Sequence, residues 1–328
     1  MNWMDKVIIE GRHVSKQNSL DLFWPGSSIT FKVKTKSLQL KMCDTVGESE
    51  YLVIVDQEAK HQFVVNQDSI YTLWEENEVR EVEITLHRLN DFSRGTTSIE
   101  LSQFNGDFLP INKKKKQITY YGNSITVGYA NVDTTGTDNS LYTSNYKAFS
   151  SLTSRALSAS QNVIAKSGIG ITMSWGDYIM PQIYNRIDPT DSTSVWDFQQ
   201  DTTDLVVVNL MQNDYWLSGH PAHERYIHWI GRQQLRKEDF IQSYASFLKQ
   251  LRKAHPQAPI ICVLGCMDVV KEDSPFIDYV DEAVKELDDK SIYRLNFPYL
   301  AKEAHPNVDM HQAMSDILVQ YIREHQLL

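Results

Sequence analysis

Through residue 111 the chain alternates apolar and polar positions. In "SSITFKVKT" polar neighbours separate Ile29, Phe31 and Val33, and in "SLQLKMC" they separate Leu38, Leu40 and Met42. "EYLVIVDQ", "HQFVVNQ", "SIYTLW", "REVEITLHRL" and "TSIELSQF" follow, divided by polar turns. A period of two buries one face of a strand and wets the other. Many short strands at this spacing, with no helical stripe among them, predict an antiparallel, jelly-roll-like β-sandwich over 1–111.

After Lys116 the pattern changes. "QITYYG", "QNVIAKSG", "TDLVVVNLM", "PIICVLG" and "SIYRLNF" are nearly continuous apolar runs, and helical stretches are predicted between them over 145–158, 177–185, 238–254 and 276–287. In the third helix Phe240, Tyr244, Phe247, Leu248 and Leu251 form one stripe; in a last helix Met314, Ile317, Leu318, Tyr321 and Ile322 do the same. Apolar strands separated by helices predict a parallel sheet covered on both faces. Five of them make residues 112–328 a flavodoxin-like, three-layer α/β/α domain, whose chemistry collects outside the carboxyl ends of the strands.

A length of 328 residues suits two such domains. The formal charge of -10 argues against nucleic acid as a partner, and the basic run Lys113–Lys116 reads as a solvated linker. Cys43, Cys262 and Cys266 are too few and too scattered for a disulfide framework. "MNWMDKVIIEGR" turns charged too early for a signal peptide, and no run reaches the length of a membrane span. The expectation is a cytoplasmic protein without a membrane partner.

Strand one ends in "GNSIT", with Ser124 at the start of a helix. Ser124 is there either a nucleophile or a helix cap. Strand two ends in Ser167-Gly168-Ile169-Gly170, where glycine lets backbone approach a ligand closely. Strand three ends in Gln212-Asn213-Asp214, a polar site or an Asn-Asp turn. His305, in "EAHPNVDMHQAM", follows the last strand and precedes the last helix, so it too lies on the loop rim. His255 lies at the opposite end of the sheet, between a helix and a strand. His220, His223 and His228 cluster in a polar insertion, a solvated loop or, less simply, a metal site without a known zinc spacing. A serine, glycine amides, an asparagine amide and a histidine are together the set that acyl transfer needs.

In order and spacing these residues resemble the four markers of the SGNH (GDSL-type) hydrolases: Ser124 in "GNSIT", a glycine in "SGIG", Asn213 in "QND" and His305 in "HPN". The preceding sandwich makes the arrangement similar to carbohydrate esterase family 2, whose members remove acetyl groups from sugar hydroxyls. The resemblance implies a serine esterase with Ser124 as nucleophile and His305 as base. Its oxyanion hole would comprise the N–H of Ser124, the N–H of Gly170, chosen over Gly168 by spacing to Thr172, and the Asn213 amide. No metal or organic cofactor is implied, and the partner is an acetylated mono- or oligosaccharide. Trp216, Trp175 and Tyr215 stand near the rim as candidate sugar-binding residues.

Three positions depart from the family. Asn123 stands where an aspartate is usual, and Met211 where the third block has glycine. Lys302 stands three residues before the histidine, where the family carries its aspartate. His305 is then oriented either by another carboxylate or, as in some family 2 esterases, by a backbone carbonyl in a Ser–His dyad. Two other readings remain at this stage: an esterase for lipid, aryl or thioester substrates, and a glycan-binding protein without catalysis.

Overall fold

The computed structural model describes residues 3–328. It divides into two compact units: residues up to Lys115 together with Arg186–Trp196, and Lys116–Asn185 together with Asp197–Leu328. The boundary expected at 111/112 therefore falls a few residues later, and an eleven-residue excursion of the second half belongs to the first unit.

The first unit is a nine-stranded antiparallel sheet system. Two of its strands are long: Ser28–Asp44, of 17 residues, and Ser69–Arg88, of 20. The sequence suggested two separate strands in each region. Their continuity rests on register shifts between Thr35 and Ser37 and between Leu38 and Gln39. Ile29, Phe31 and Val33 are buried on odd positions; Leu38, Leu40 and Met42 are buried on even ones. The irregularity changes the parity, so one strand keeps its apolar side inward along its whole length.

The excursion is tied into this unit by buried donors. Trp24, wholly buried, donates its indole N–H to the carbonyl of Ile187 (2.8 Å), and the Arg12 guanidinium donates to that of Arg186 (2.9 Å). The Arg12 guanidinium also lies 5.3 Å from the Trp196 ring centroid.

The second unit is a five-stranded parallel sheet. Its strands run, in spatial order, Ser160–Ala165, Gln117–Gly122, Leu205–Asn209, Ile260–Leu264 and Ile292–Asn296. The first strand in sequence is second in space, so the topology reverses beside it, the usual place for a ligand crevice. The helices are α1 (Ser124–Val127), α2 (Phe149–Ala156), α3 (Met180–Ile183), α4 (Gln212–Ser218), α5 (Glu224–Ile230), α6 (Lys237–Ala254), α7 (Phe276–Leu287) and α8 (Val308–Glu324). The amphipathic α6 and α8 match their apolar stripes. The helix predicted over 145–158 is shorter, because Asn145–Lys147 forms a separate 3-10 turn. Only four residues of the stretch 177–185 are helical. Strand three ends at Asn209, so Gln212-Asn213-Asp214, read as its end or as a turn, opens α4, and the polar insertion read as loop contains α5.

Candidate active site

Strand one is apolar and buried as far as Gly122. A side chain at Gly122 would meet the Thr126 hydroxyl at 2.0 Å, so the turn into α1 requires glycine. Asn123, rather than Ser124, caps the helix: its Oδ1 accepts the N–H of Ile125 at 3.0 Å. The cap reading of Ser124 is thereby corrected. Ser124 is the first helical residue, 4% exposed, and its hydroxyl is left for other work.

That hydroxyl lies 2.9 Å from Nε2 of His305. On the other side of the ring, Nδ1 lies 2.8 and 3.0 Å from the two carboxylate oxygens of Asp138. The backbone N–H of His305 donates to the same carboxylate at 3.1 Å. A carboxylate only accepts, so Nδ1 carries the proton and Nε2 offers its lone pair to Ser124. Burial works to raise the Asp138 carboxyl, but the hydrogen bonds and charge of His305 outweigh it and hold it below its ordinary value. The Tyr129 ring packs on the imidazole with centroids 4.5 Å apart. His305 is thus oriented by a carboxylate, which excludes the backbone-carbonyl dyad. Sequence reasoning missed Asp138 because it lies 167 residues away in an exposed polar loop.

The loop after strand two is held from α4. Asp214 is fully buried and accepts the N–H groups of Ile171 (3.0 Å), Thr172 (2.6 Å) and Met173 (3.0 Å). Burial pushes its carboxyl up, against the pull of those amides. Beside it, Asn213 donates from Nδ2 to the carbonyl of Ile169 at 2.8 Å. A Cβ at Gly170 would come within 2.0 Å of the Met173 carbonyl and 2.5 Å of the Asp214 carboxylate, so Gly170 is a close-packing glycine. Gly168 is a conformational one, at φ 79°, in the turn that joins Ile169 N–H to Lys166 O. Met211, standing where the family has glycine, takes φ 79° as a buried N-terminal residue of α4.

The aromatic candidates separate. Trp216 is half-buried and donates its indole N–H to Asp268 at 2.9 Å. The same carboxylate accepts from the Tyr299 hydroxyl (3.0 Å) and from Lys271 Nζ (2.9 Å). Asp268 was not foreseen in the sequence. Burial raises its carboxyl, yet these three donors bring it below its ordinary value. Trp175, also half-buried, meets His223 edge-on at 5.1 Å, and Trp229 donates to the carbonyl of Ser174 at 2.7 Å. Tyr215 turns to α7, where its ring meets Phe276 edge-on at 5.5 Å. Successive helical positions point ~100° apart, so Tyr215 and Trp216 do not share a face.

Of the clustered histidines, His220 Nδ1 is bound to the carbonyl of Trp216 (2.7 Å) and His223 accepts the N–H of Arg225 as the cap of α5. No group of three potential ligands among the described residues could hold a metal ion. His255 is buried on the Tyr121 hydroxyl, at 2.9 Å.

The carbohydrate esterase 2 N-terminal family matches residues 9–111. The structure of a family two carbohydrate esterase from Clostridium thermocellum, in complex with cellohexaose, superposes with a TM-score of 0.85 at 25% identity, covering 98% of this chain and 99% of that one. The chain resembles the family two carbohydrate esterases. Cellulase/esterase CelE of Acetivibrio thermocellus is 28% identical over 97% of the chain, which spans only 39% of the length of that protein. An acetylxylan esterase / glucomannan deacetylase of Cellvibrio japonicus is 24% identical, with 97% of this chain and 88% of that protein covered. Of the positions read against the SGNH markers, the one three residues before the histidine carries no carboxylate. That position is Lys302, whose Nζ lies 6.0 Å from the Tyr299 ring centroid, and the carboxylate on His305 is that of Asp138.

Proposed function

We propose that the chain is a carboxylic ester hydrolase that removes O-acetyl groups from carbohydrates. The observation that carries this reading is the hydrogen-bonded series Ser124–His305–Asp138. His305 takes the proton of Ser124 through Nε2 as Oγ attacks the ester carbonyl. Asp138 stabilises the imidazolium and keeps the tautomer. His305 then protonates the departing sugar hydroxyl, and water, activated by the same ring, releases acetate from the acyl-enzyme. These steps use only groups of the chain itself.

The oxyanion is assigned to the N–H of Ser124, the second Nδ2 hydrogen of Asn213 and a glycine N–H. Spacing favoured Gly170. The carbonyl of Ile169, in the same peptide plane as the Gly170 N–H, is turned toward Asn213. In a trans peptide the N–H points the opposite way. We therefore assign the third donor to Gly168, outside that plane. Trp216 and Trp175 would supply apolar walls for a sugar ring.

The charge of -10 argues against nucleic acid as the ligand. The non-catalytic reading leaned on the lost aspartate, and Asp138 removes that support. Acetate release from acetylated oligosaccharides tests the proposal. The native protein is expected to turn over and Ser124→Ala to fall to background; equal rates would refute it.

A further inference from the structure

Asp138 meets His305 from a loop that has little core of its own. At its base, Asn131 and Ser144 exchange two hydrogen bonds, Nδ2 to carbonyl and N–H to Oδ1, each 3.0 Å. Beyond that clamp the loop is exposed from Thr134 to Thr137, and Gly136 (φ 72°) and Asp138 (φ 53°) both take left-handed backbone. Such a conformation is costly for an ordinary residue, and aspartate is among the few that visit it. Something must hold the loop in this shape.

Asp133 does so. Its carboxylate accepts the N–H and hydroxyl of Thr135 (2.7 and 2.6 Å), the hydroxyl of Thr137 (3.2 Å) and the N–H of Asn139 (3.2 Å). The last bond fixes the peptide that follows Asp138. The Thr135 hydroxyl above all, with the amides of Thr135 and Asn139 and the Thr137 hydroxyl, holds the Asp133 carboxyl well below its ordinary value against an opposing effect of desolvation. We propose that Asp133 is a positioning residue for the carboxylate that orients His305. It acts through the loop, touching neither substrate nor His305. The kinetic part of this proposal rests on the esterase reading; the structural part does not.

Other charged groups surround His305 and enter the test. Asp138 sits on Nδ1. Asp133, Lys302 and Glu303 line a cavity of ≈ 420 Å³ shared with Asp138 and His305, and His311 lies buried on α8. A direct charge effect of Asp133 across that cavity is separated from a positioning effect by Asp133→Asn, which removes the charge and keeps an acceptor oxygen.

The test combines kinetics with proton NMR on the full chain. Asp133→Ala is expected to lower kcat on the order of 10- to 100-fold, the scale of a misplaced catalytic group. KM should stay within about twofold, because substrate contacts are intact. In an Asp138→Ala background the same substitution should add nothing. Asp133→Asn keeps one acceptor oxygen, enough for the Thr135 pair or for the Asn139 N–H but not both, and should recover part of the loss. A far-downfield His305 Nδ1 proton signal should be present in the native protein and in Asp133→Asn, and lost in Asp133→Ala and Asp138→Ala. Unchanged kcat in Asp133→Ala, additive losses in the double variant, or Asp133→Asn as impaired as Asp133→Ala would each overturn the proposal. The NMR arm needs no turnover: the expected signals in a protein that hydrolyses nothing would sink the esterase reading and keep the loop assignment.

Discussion

Asn123 shows how a single side chain prepares the site. By capping α1 through Oδ1 it spares Ser124 that role, and it stands where the family has aspartate. An amide and a carboxylate present the same acceptor oxygen to Ile125, so the departure is tolerated. Asn123→Ala should cost about 1 kcal/mol of stability, as cap losses do, and should lower kcat because the turn that presents Ser124 loosens. Chemical unfolding beside steady-state kinetics checks both; a stability loss without any fall in kcat would mean that the cap does not position the serine. Of the site residues, Ser124, Asn213 and His305 were legible because each follows an apolar strand at the carboxyl edge. Asp138 and Asp268 were not. Each matters only through a contact with another segment, and in sequence each is one more acid in a polar loop. The one local sign was Asp133 followed by Thr135, a pattern that favours a side-chain-closed turn.

Among the elements, the short helices were the ones missed. α4 and α5 have seven residues each, too few for a hydrophobic period to stand out, and are fixed by tertiary contacts. α4 matters most, since it carries Asn213, Asp214 and Trp216. Asp268 ties Trp216 to Tyr299 across two loops. Asp268→Asn should raise KM for an acetylated oligosaccharide about three- to tenfold, the worth of roughly 1 kcal/mol of lost ring alignment, and leave a small aryl acetate unaffected. Equal effects on both esters would place Asp268 outside sugar binding. The packing of α2 on α8 gives a pH prediction. His311 on α8 accepts the N–H of Phe149 through Nδ1 at 3.1 Å. Burial, and secondly the charge of His305, push its imidazole from 6.5 down to about 3. The folded pKa lies below the unfolded one, so the contribution is fully present above pH 6.5 and is lost as pH falls toward 3. Between pH 6.5 and 5 this amounts to about 2 kcal/mol. Urea unfolding at the two pH values should show that loss in the native protein and little of it in His311→Asn; identical losses would contradict it.

At the scale of the molecule, the pattern of period two followed by alternating apolar strands and helices was enough to give both architectures. It could not give the Arg186–Trp196 excursion. That segment is polar and irregular, and only the buried donors of Trp24 and Arg12 reveal why it belongs to the sandwich unit. A fragment ending at Lys115 lacks those acceptors. Each buried donor left without a partner costs about 1–3 kcal/mol. The fragment should therefore melt at a lower temperature and less cooperatively than the sandwich does in the full chain, as calorimetry would show; an equally stable fragment would make the excursion incidental.

The central claim is that Ser124, His305 and Asp138 form one acyl-transfer apparatus, with the carboxylate supplied by a loop far from the histidine in sequence. The most direct measurement is acetate release from an acetylated oligosaccharide by the native protein, Ser124→Ala and Asp138→Ala. The account predicts turnover by the native chain, none above background for Ser124→Ala, and for Asp138→Ala a kcat lower by ~10²–10⁴ with KM little changed. Native rates in Asp138→Ala would contradict it.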